Sequence, residues 1–284
     1  MFTFFACHSS ENTYNDDSSR DGSSFISNRD RPTKMSPRSI TEEEFSERES
    51  ELISLGRSLV DCDCLSTLTM DKLVSESRFS KGTIYKHFVS KEDLLMAICN
   101  RSIKEMQDMF VQALKFKGNS REKVLAVMVS YVIWAKLHPM QLFAVLAAHS
   151  PSVAACCSEE RNDTHKQHEA QLMGLMARQI DKAIQSGDLV LPEGMLIEQV
   201  TFAMWSASWG AMALIMSKGD SVNLGPMQLE RESFTNARLI LDGFGWKPLS
   251  STWDYPATIR KIANEVFQSE IATLEKMGTP FVFV

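Results

Sequence analysis

Positive charge is what this composition withholds first. The 284 residues carry 30 Lys and Arg against 36 Asp and Glu, a formal net charge of −6. That balance argues against nucleic acid as a partner unless basic residues are gathered locally. Cysteine is sparse, six residues at 7, 62, 64, 99, 156 and 157, with no Cys-x-x-Cys pair. A disulfide framework or a structural zinc site therefore has no support. Alternating apolar–polar runs and βαβ repeats are missing, which excludes a sheet-based architecture. No nucleophile–base set, paired carboxylates or cofactor loop stands out, so no enzyme and no cofactor is expected. Long apolar runs are lacking too, with one exception: Gln199 to Ser217 is uncharged for 19 residues. Its length would permit a membrane crossing. It stands alone, small polar residues interrupt it, and Glu198 abuts it, so it reads as a helix in a multi-helix core, with no membrane partner. The opening MFTFFACHSS has no basic n-region and is too short for a signal peptide, which makes the cytoplasm the default location.

What is present is helical. With 44% hydrophobic and 23% charged residues the chain is of ordinary globular composition. Residues 1–45 form a polar tail rich in Ser, Asn, Asp and Arg that cannot bury enough to fold alone. Its basic end, Arg29, Arg31, Lys34 and Arg38, is either a solvated leader or an arm toward nucleic acid. From about residue 46, Leu52, Leu55, Leu59 and Val60 share a helix face. Thr69, Ser80 and Ser90 are N-cap candidates for two short helices and a long one, with Asp93 as a capping-box partner for Ser90. The long helix is expected to stop near Gly118. Further helices are expected over Ser120–Leu137, Met140–Ala148, about 153–185, Leu196–Met216, Pro226–Gly243 and about Ala257–Lys276. The fold class is all-α: a short-helix head at 46–92, a long-helix body at 93–243 and a helical extension at 244–284.

The head holds the missing basic patch. Between Lys72 and Lys91 stand five basic residues (72, 78, 81, 86, 91) and one acid, Glu76, whereas 46–71 has two basic residues and six acids. Two short helices joined by a tight turn form a helix-turn-helix, whose second helix, here about Lys81–His87, enters a major groove. Lysines neutralise phosphate, hydroxyls and tyrosine bond phosphate oxygens, and Gly82 allows close backbone approach. A solvated helix end remains the alternative for the segment in isolation.

The stretch from Thr69 to Leu94 resembles the N-terminal domain of the TetR family of bacterial transcriptional regulators. The resemblance rests on Thr69, Leu73, Phe79-Ser80, Gly82, Tyr85, His87-Phe88, Lys91-Glu92 and Leu94 in order, and in detail it covers about 46–95. It implies Lys81, Gly82, Thr83 and Lys86 at the major groove, with Ser80 at the start of that helix. Thr69, Tyr85, His87 and Lys91 would clamp phosphate, and Ile84 and Phe88 would be core. Two departures stand out. Ser77-Arg78 replaces the usual small residue and glycine of the turn, with Arg78 as a further phosphate contact or a plain turn residue, and Cys64 replaces a glycine after the first helix.

The resemblance also implies a homodimer on a pseudo-palindromic DNA operator, with much of the interface from about 193–217 and 226–243. Ala203, Ser206, Ala207, Ser208, Gly210, Ala211 and Ala213 would allow close approach of helices. It further implies repression relieved by a small apolar or amphipathic effector of unknown identity. Candidate lining residues are Met128, Tyr131, Trp134, Phe143, Met173, Met176, Phe202, Trp205 and Trp209, all equally compatible with plain core. Cys156, Cys157, Glu159, His165 and His168 suggest metal or redox sensing, but match no strong ligand motif. A partner-binding protein with a degenerate head is the remaining alternative.

Overall fold

A computed structural model describes residues 40–62, 65–217 and 226–283. The leader with its four basic residues, Cys64 and the expected helix end at Lys218-Gly219 lie outside the described residues. Among those described, twelve α-helices follow one another without a strand. The head comprises α1 (Glu42–Cys62), α2 (Met70–Glu76) and α3 (Lys81–His87), and runs into α4 (Lys91–Ala113). The body holds α5 (Ser120–Leu137), α6 (Pro139–Ala148), α7 (Pro151–Ala155), α8 (Glu159–Gln185), α9 (Ile197–Met216) and α10 (Leu229–Gly243). The extension holds α11 (Tyr255–Val266) and α12 (Gln268–Lys276).

The short head helices exist because their ends are capped. Thr69, Ser80 and Ser90 accept hydrogen bonds from the backbone N–H of Lys72, Thr83 and Asp93 at 3.1, 3.2 and 3.0 Å. Each cap satisfies an orphan donor, which the seven-residue α2 and α3 have little else to offset. Leu52, Leu73, Ile84, Phe88 and Leu94 are fully buried beneath them. At Gly56 a Cβ would stand 3.1 Å from Ile98 Cδ1 and 3.3 Å from Leu94 Cδ1, so glycine is what lets α1 lie this close to α4.

Several expected boundaries move. α4 ends at Ala113 rather than near Gly118. The expected helix over 153–185 is two, because the chain breaks at Cys156–Ser158 and restarts at Glu159. The terminal helix is also two, interrupted at Phe267, whose side chain is fully buried. Asp93 does not complete a capping box with Ser90. Its Oδ2 accepts from Val89 N at 3.2 Å, and its Oδ1 accepts from Ser158 N and Oγ at 3.0 and 2.9 Å. The aspartate therefore ties the start of α4 to the start of α8.

The extension packs on the body, against α5 and α4. Gln112 Nε2 donates to Val266 O at 2.8 Å, and Lys136 Nζ donates to Pro280 O at 2.6 Å while pairing with Glu230. At the other end of α5, Arg121 is fully buried. It donates to Trp246 O at 2.5 Å and lies 2.7 Å from Asp242 Oδ1 at the end of α10. No single helix among the described residues is long and apolar enough to cross a membrane. The uncharged run is α9, which buries Val200, Met204, Ser208, Ala211 and Ile215 on one side.

Candidate nucleic-acid interface and ligand cavity

The head presents a solvent face built on α3. Lys81, Gly82, Tyr85 and Lys86 are exposed, and Thr83 is half-buried. Ile84 and Phe88 face inward and are fully buried in the core. A Cβ on Gly82 would meet nothing within 4 Å, so this backbone is open to a partner. Among the described residues Lys86 and Lys91 form no ion pair, whereas Lys81 Nζ stands 3.3 Å from Asp71, an exposed and therefore weak pairing. Thr69 and Ser80 sit exposed at the two helix starts with their oxygens accepting the capping bonds, and the Ser80 and Thr83 hydroxyls also bond each other at 2.9 Å.

Two of the expected contacts look different in three dimensions. Arg78 lies on the surface, but its guanidinium grips Glu51 with two hydrogen bonds of 2.8 and 2.6 Å and stacks on Phe79. This exposed pair joins the turn to α1. His87 is not on the interface: it is buried, stacked on Phe45 with ring centroids 4.0 Å apart, and its Nδ1 is 3.5 Å from Glu49. Burial holds this imidazole below its ordinary pKa despite the pull of Glu49. A phosphate cannot reach it, so its expected role as a clamp is corrected to packing between α1 and α3. No local pattern signals this contact, because Phe45 lies 42 residues upstream, at the edge of what reads as tail.

The head is clasped from behind by Arg161 in the first turn of α8. Its Nη2 lies 3.1 Å from His87 O and 3.1 Å from Glu49 Oε2, its Nε lies 3.4 Å from Asp93 Oδ1, and its plane covers Phe88. Sequence reasoning missed this residue, whose partners are 68 or more positions away. Arg161→Leu keeps the bulk of the stem but removes these bonds, which are of the charged kind worth about 1.5–3 kcal/mol. Faster amide exchange through α1–α3, by about tenfold or more, is expected with the α5 amides unchanged; hydrogen–deuterium exchange reads both.

The body holds a partly open cavity of about 230 Å³ between α4, α5, α6, α8 and α9. Met128, Tyr131, Met173, Met176, Trp205 and Trp209 line it, with Ile103, Met106 and Phe110 from α4. Three expected lining residues do not. Trp134 is fully buried on another side of α5, beside His138; Phe143 lies half-buried on α6 away from the cavity; Phe202 is 60% exposed on the outer face of α9. The lining is apolar apart from Tyr131, Thr201, Ser208 and the place where His149 and Glu169 meet. His149 Nε2 is 2.8 Å from Glu169 Oε1, and His165 Nε2 is 3.6 Å from the same oxygen. Burial opposes charge on His149, but its bonds to Glu169 and Val145 O leave its pKa raised; burial lowers that of His165.

The cysteine set expected for metal or redox sensing does not assemble. Cys157 donates its thiol to Val153 O and Glu92 O, and burial pushes its pKa up to about 11, the opposite of a reactive thiolate. Of that set, only His165 joins a donor cluster, and its companions are His149 and Glu169.

Residues 54–98 match the family model described as bacterial regulatory proteins, tetR family. Solved structures share the fold at low identity. A TetR/AcrR-family transcriptional regulator from Thermobifida fusca YX-ER1 is 21% identical, with a TM-score of 0.51 over 70% of this chain and 98% of that one. TylP, a TetR regulator from Streptomyces fradiae, is 12% identical, with a TM-score of 0.54 over 80% and 99%. SmeT, the repressor of the Stenotrophomonas maltophilia multidrug efflux pump SmeDEF, is 15% identical, with a TM-score of 0.50 over 72% and 96%. No curated protein matches the sequence.

Proposed function

We propose that this chain, which belongs to the TetR family of bacterial regulatory proteins, is a repressor that binds a pseudo-palindromic operator as a homodimer and releases it when a small apolar or amphipathic effector fills the body cavity. The observation that carries the reading is α4. It begins against the recognition helix at Lys91 and ends along the cavity at Ile103, Met106 and Phe110. One rigid element thus touches both places, and a ligand that shifts its body end also moves the head. SmeT, a repressor, shares the fold and lends support to the direction of control.

The dimer surface is best sought on α9 and α10. Phe202, Ser206, Gly210 and Leu214 recur every fourth residue on the outer face of α9, with Phe202 60% and Leu214 59% exposed; Leu239 on α10 is 60% exposed. Ser208 and Ala211, expected among the interface residues, instead face the monomer core. A Cβ on Gly210 would meet nothing within 4 Å, leaving room for a second helix. Gly210→Arg should convert the dimer to monomer in sedimentation, with unchanged helical content, and weaken operator binding because two half-sites no longer act together.

Selection from a random DNA pool with the purified protein tests the whole reading. Enrichment of sequences with two half-sites about one helical turn apart is expected. Failure to enrich any such sequence would sink it, and would favour a partner-binding protein with a degenerate head.

A further inference from the structure

The polar end of the cavity has an arrangement that proton positions make informative. His149 Nδ1 lies 2.8 Å from Val145 O, a carbonyl that can only accept, so this nitrogen carries a proton. Asn100 Nδ2 donates to Arg161 O at 3.1 Å, which fixes the amide and turns Oδ1 toward His165 Nδ1 at 3.0 Å. That nitrogen must also be protonated. In both neutral rings the lone pair is therefore on Nε2, and both Nε2 atoms converge on the Glu169 carboxylate, with the three donor atoms all within 4.8 Å of one another. With both rings neutral, three electron-pair donors face one another with no hydrogen among them. A proton on His149 would satisfy only the shorter contact and leave His165 Nε2 aimed at the same oxygen. Among the described residues Glu169 pairs with no lysine or arginine.

We propose that His149 Nε2, His165 Nε2 and the Glu169 carboxylate hold a divalent cation of the zinc class, with its fourth coordination position open to the cavity. Two imidazoles and a carboxylate suit a borderline cation, and three protein ligands leave a tetrahedral ion one vacancy. The outer partners fit as well, since a metal-bound imidazole characteristically donates its other N–H to a carbonyl-type oxygen, as both rings do here. Trp209 packs edge-on to His149 with centroids 4.5 Å apart and limits its rotation. An effector seated in the cavity would complete the site with one donor atom, a carboxylate or enolate oxygen on an otherwise apolar body. This half of the inference rests on the cavity being the effector site; the metal site itself does not.

The test uses the full chain stripped of metal by chelator dialysis and titrated with Zn2+ against a chromophoric chelator. Uptake of one ion per chain is expected, weakened about tenfold or more by His149→Ala or Glu169→Gln, and about tenfold by Asn100→Ala, which removes no ligand. His168→Ala, outside the donor set, should bind as the parent does. Co2+ should give the visible bands of tetrahedral nitrogen–oxygen ligation in the parent chain and not in His149→Ala, and Zn2+ should raise the melting temperature of the parent and of His168→Ala but not of His149→Ala. Absence of stoichiometric uptake, or uptake unchanged by both ligand substitutions, overturns the site. Operator selection without zinc uptake removes only this inference; zinc uptake without operator selection removes only the regulator reading.

Discussion

Lys86→Ala is expected to cost about 1–3 kcal/mol of operator affinity and to relax preference at one base-pair position, while Lys91→Ala weakens all sequences alike. The two lysines are five residues apart, yet their settings differ. Lys86 is on the outer face of α3, one turn from Gly82 and three residues from Thr83, where a recognition helix meets base edges. Lys91 opens α4 beside the Ser90 cap, where free N–H groups and the lysine together suit a phosphate. Loss of one phosphate contact should flatten the plot of log affinity against log salt by about 0.9. Lys86→Ala should change the selected sequence, and Lys91→Ala should leave it intact. Binding measured across several salt concentrations on matched and singly altered operators separates the two. Equal behaviour of the two variants would mean that α3 is not the reading helix.

The second large effect lies far from DNA. Arg121→Ala should destabilise the fold by about 2–5 kcal/mol, the range for truncating a large buried side chain to alanine. The guanidinium joins three segments: it donates to Trp246 O, lies against Asp242 and packs on the Trp253 ring. Around it Trp246 Nε1 donates to Ser120 Oγ at 2.9 Å, and Ser120 Oγ donates to Asp188 Oδ2 at 2.6 Å. Removing Arg121 leaves a cavity and an unpaired carbonyl in this network. Arg121→Met fills the space and should cost less; urea denaturation of both variants gives the difference. Desolvation works against the Asp242 charge, but the bonds from Ser250 and Arg121 win and hold its carboxyl below the usual aspartate range. Its folded pKa is thus depressed, so its contribution is full above the ordinary value of about 4 and fades as pH falls through the lower folded value. Asp242→Asn should flatten the acid limb of the stability curve.

The sequence reads most clearly where the physics is local. An N-cap is a contact between residues three apart, and so Thr69, Ser80 and Ser90 announce α2, α3 and α4 without any tertiary knowledge. The boundaries of α5 follow from the same kind of evidence: Asn119 and Glu122 cap its start, and His138-Pro139 ends it. Where a helix is apolar on every side, periodicity stops being informative. Tyr131 and Trp134 stand three apart on α5, yet one lines the cavity and the other is buried elsewhere, because different neighbouring helices cover the two sides. The breaks at Cys156–Ser158 and Phe267 carry no proline or glycine, and arise from the packing of α8 and α12.

By itself, then, the sequence determined an all-helical chain with basic charge gathered on the second short helix of a TetR-type head, since composition, capping and charge clustering act between near neighbours. Only the tertiary structure decided that Phe45 covers His87, that Arg161 clasps the head, and that His149 meets His165 and Glu169 at the cavity wall. Each of these pairs elements from distant parts of the chain, and which faces meet is set by how whole helices pack, a property that no short stretch of residues contains.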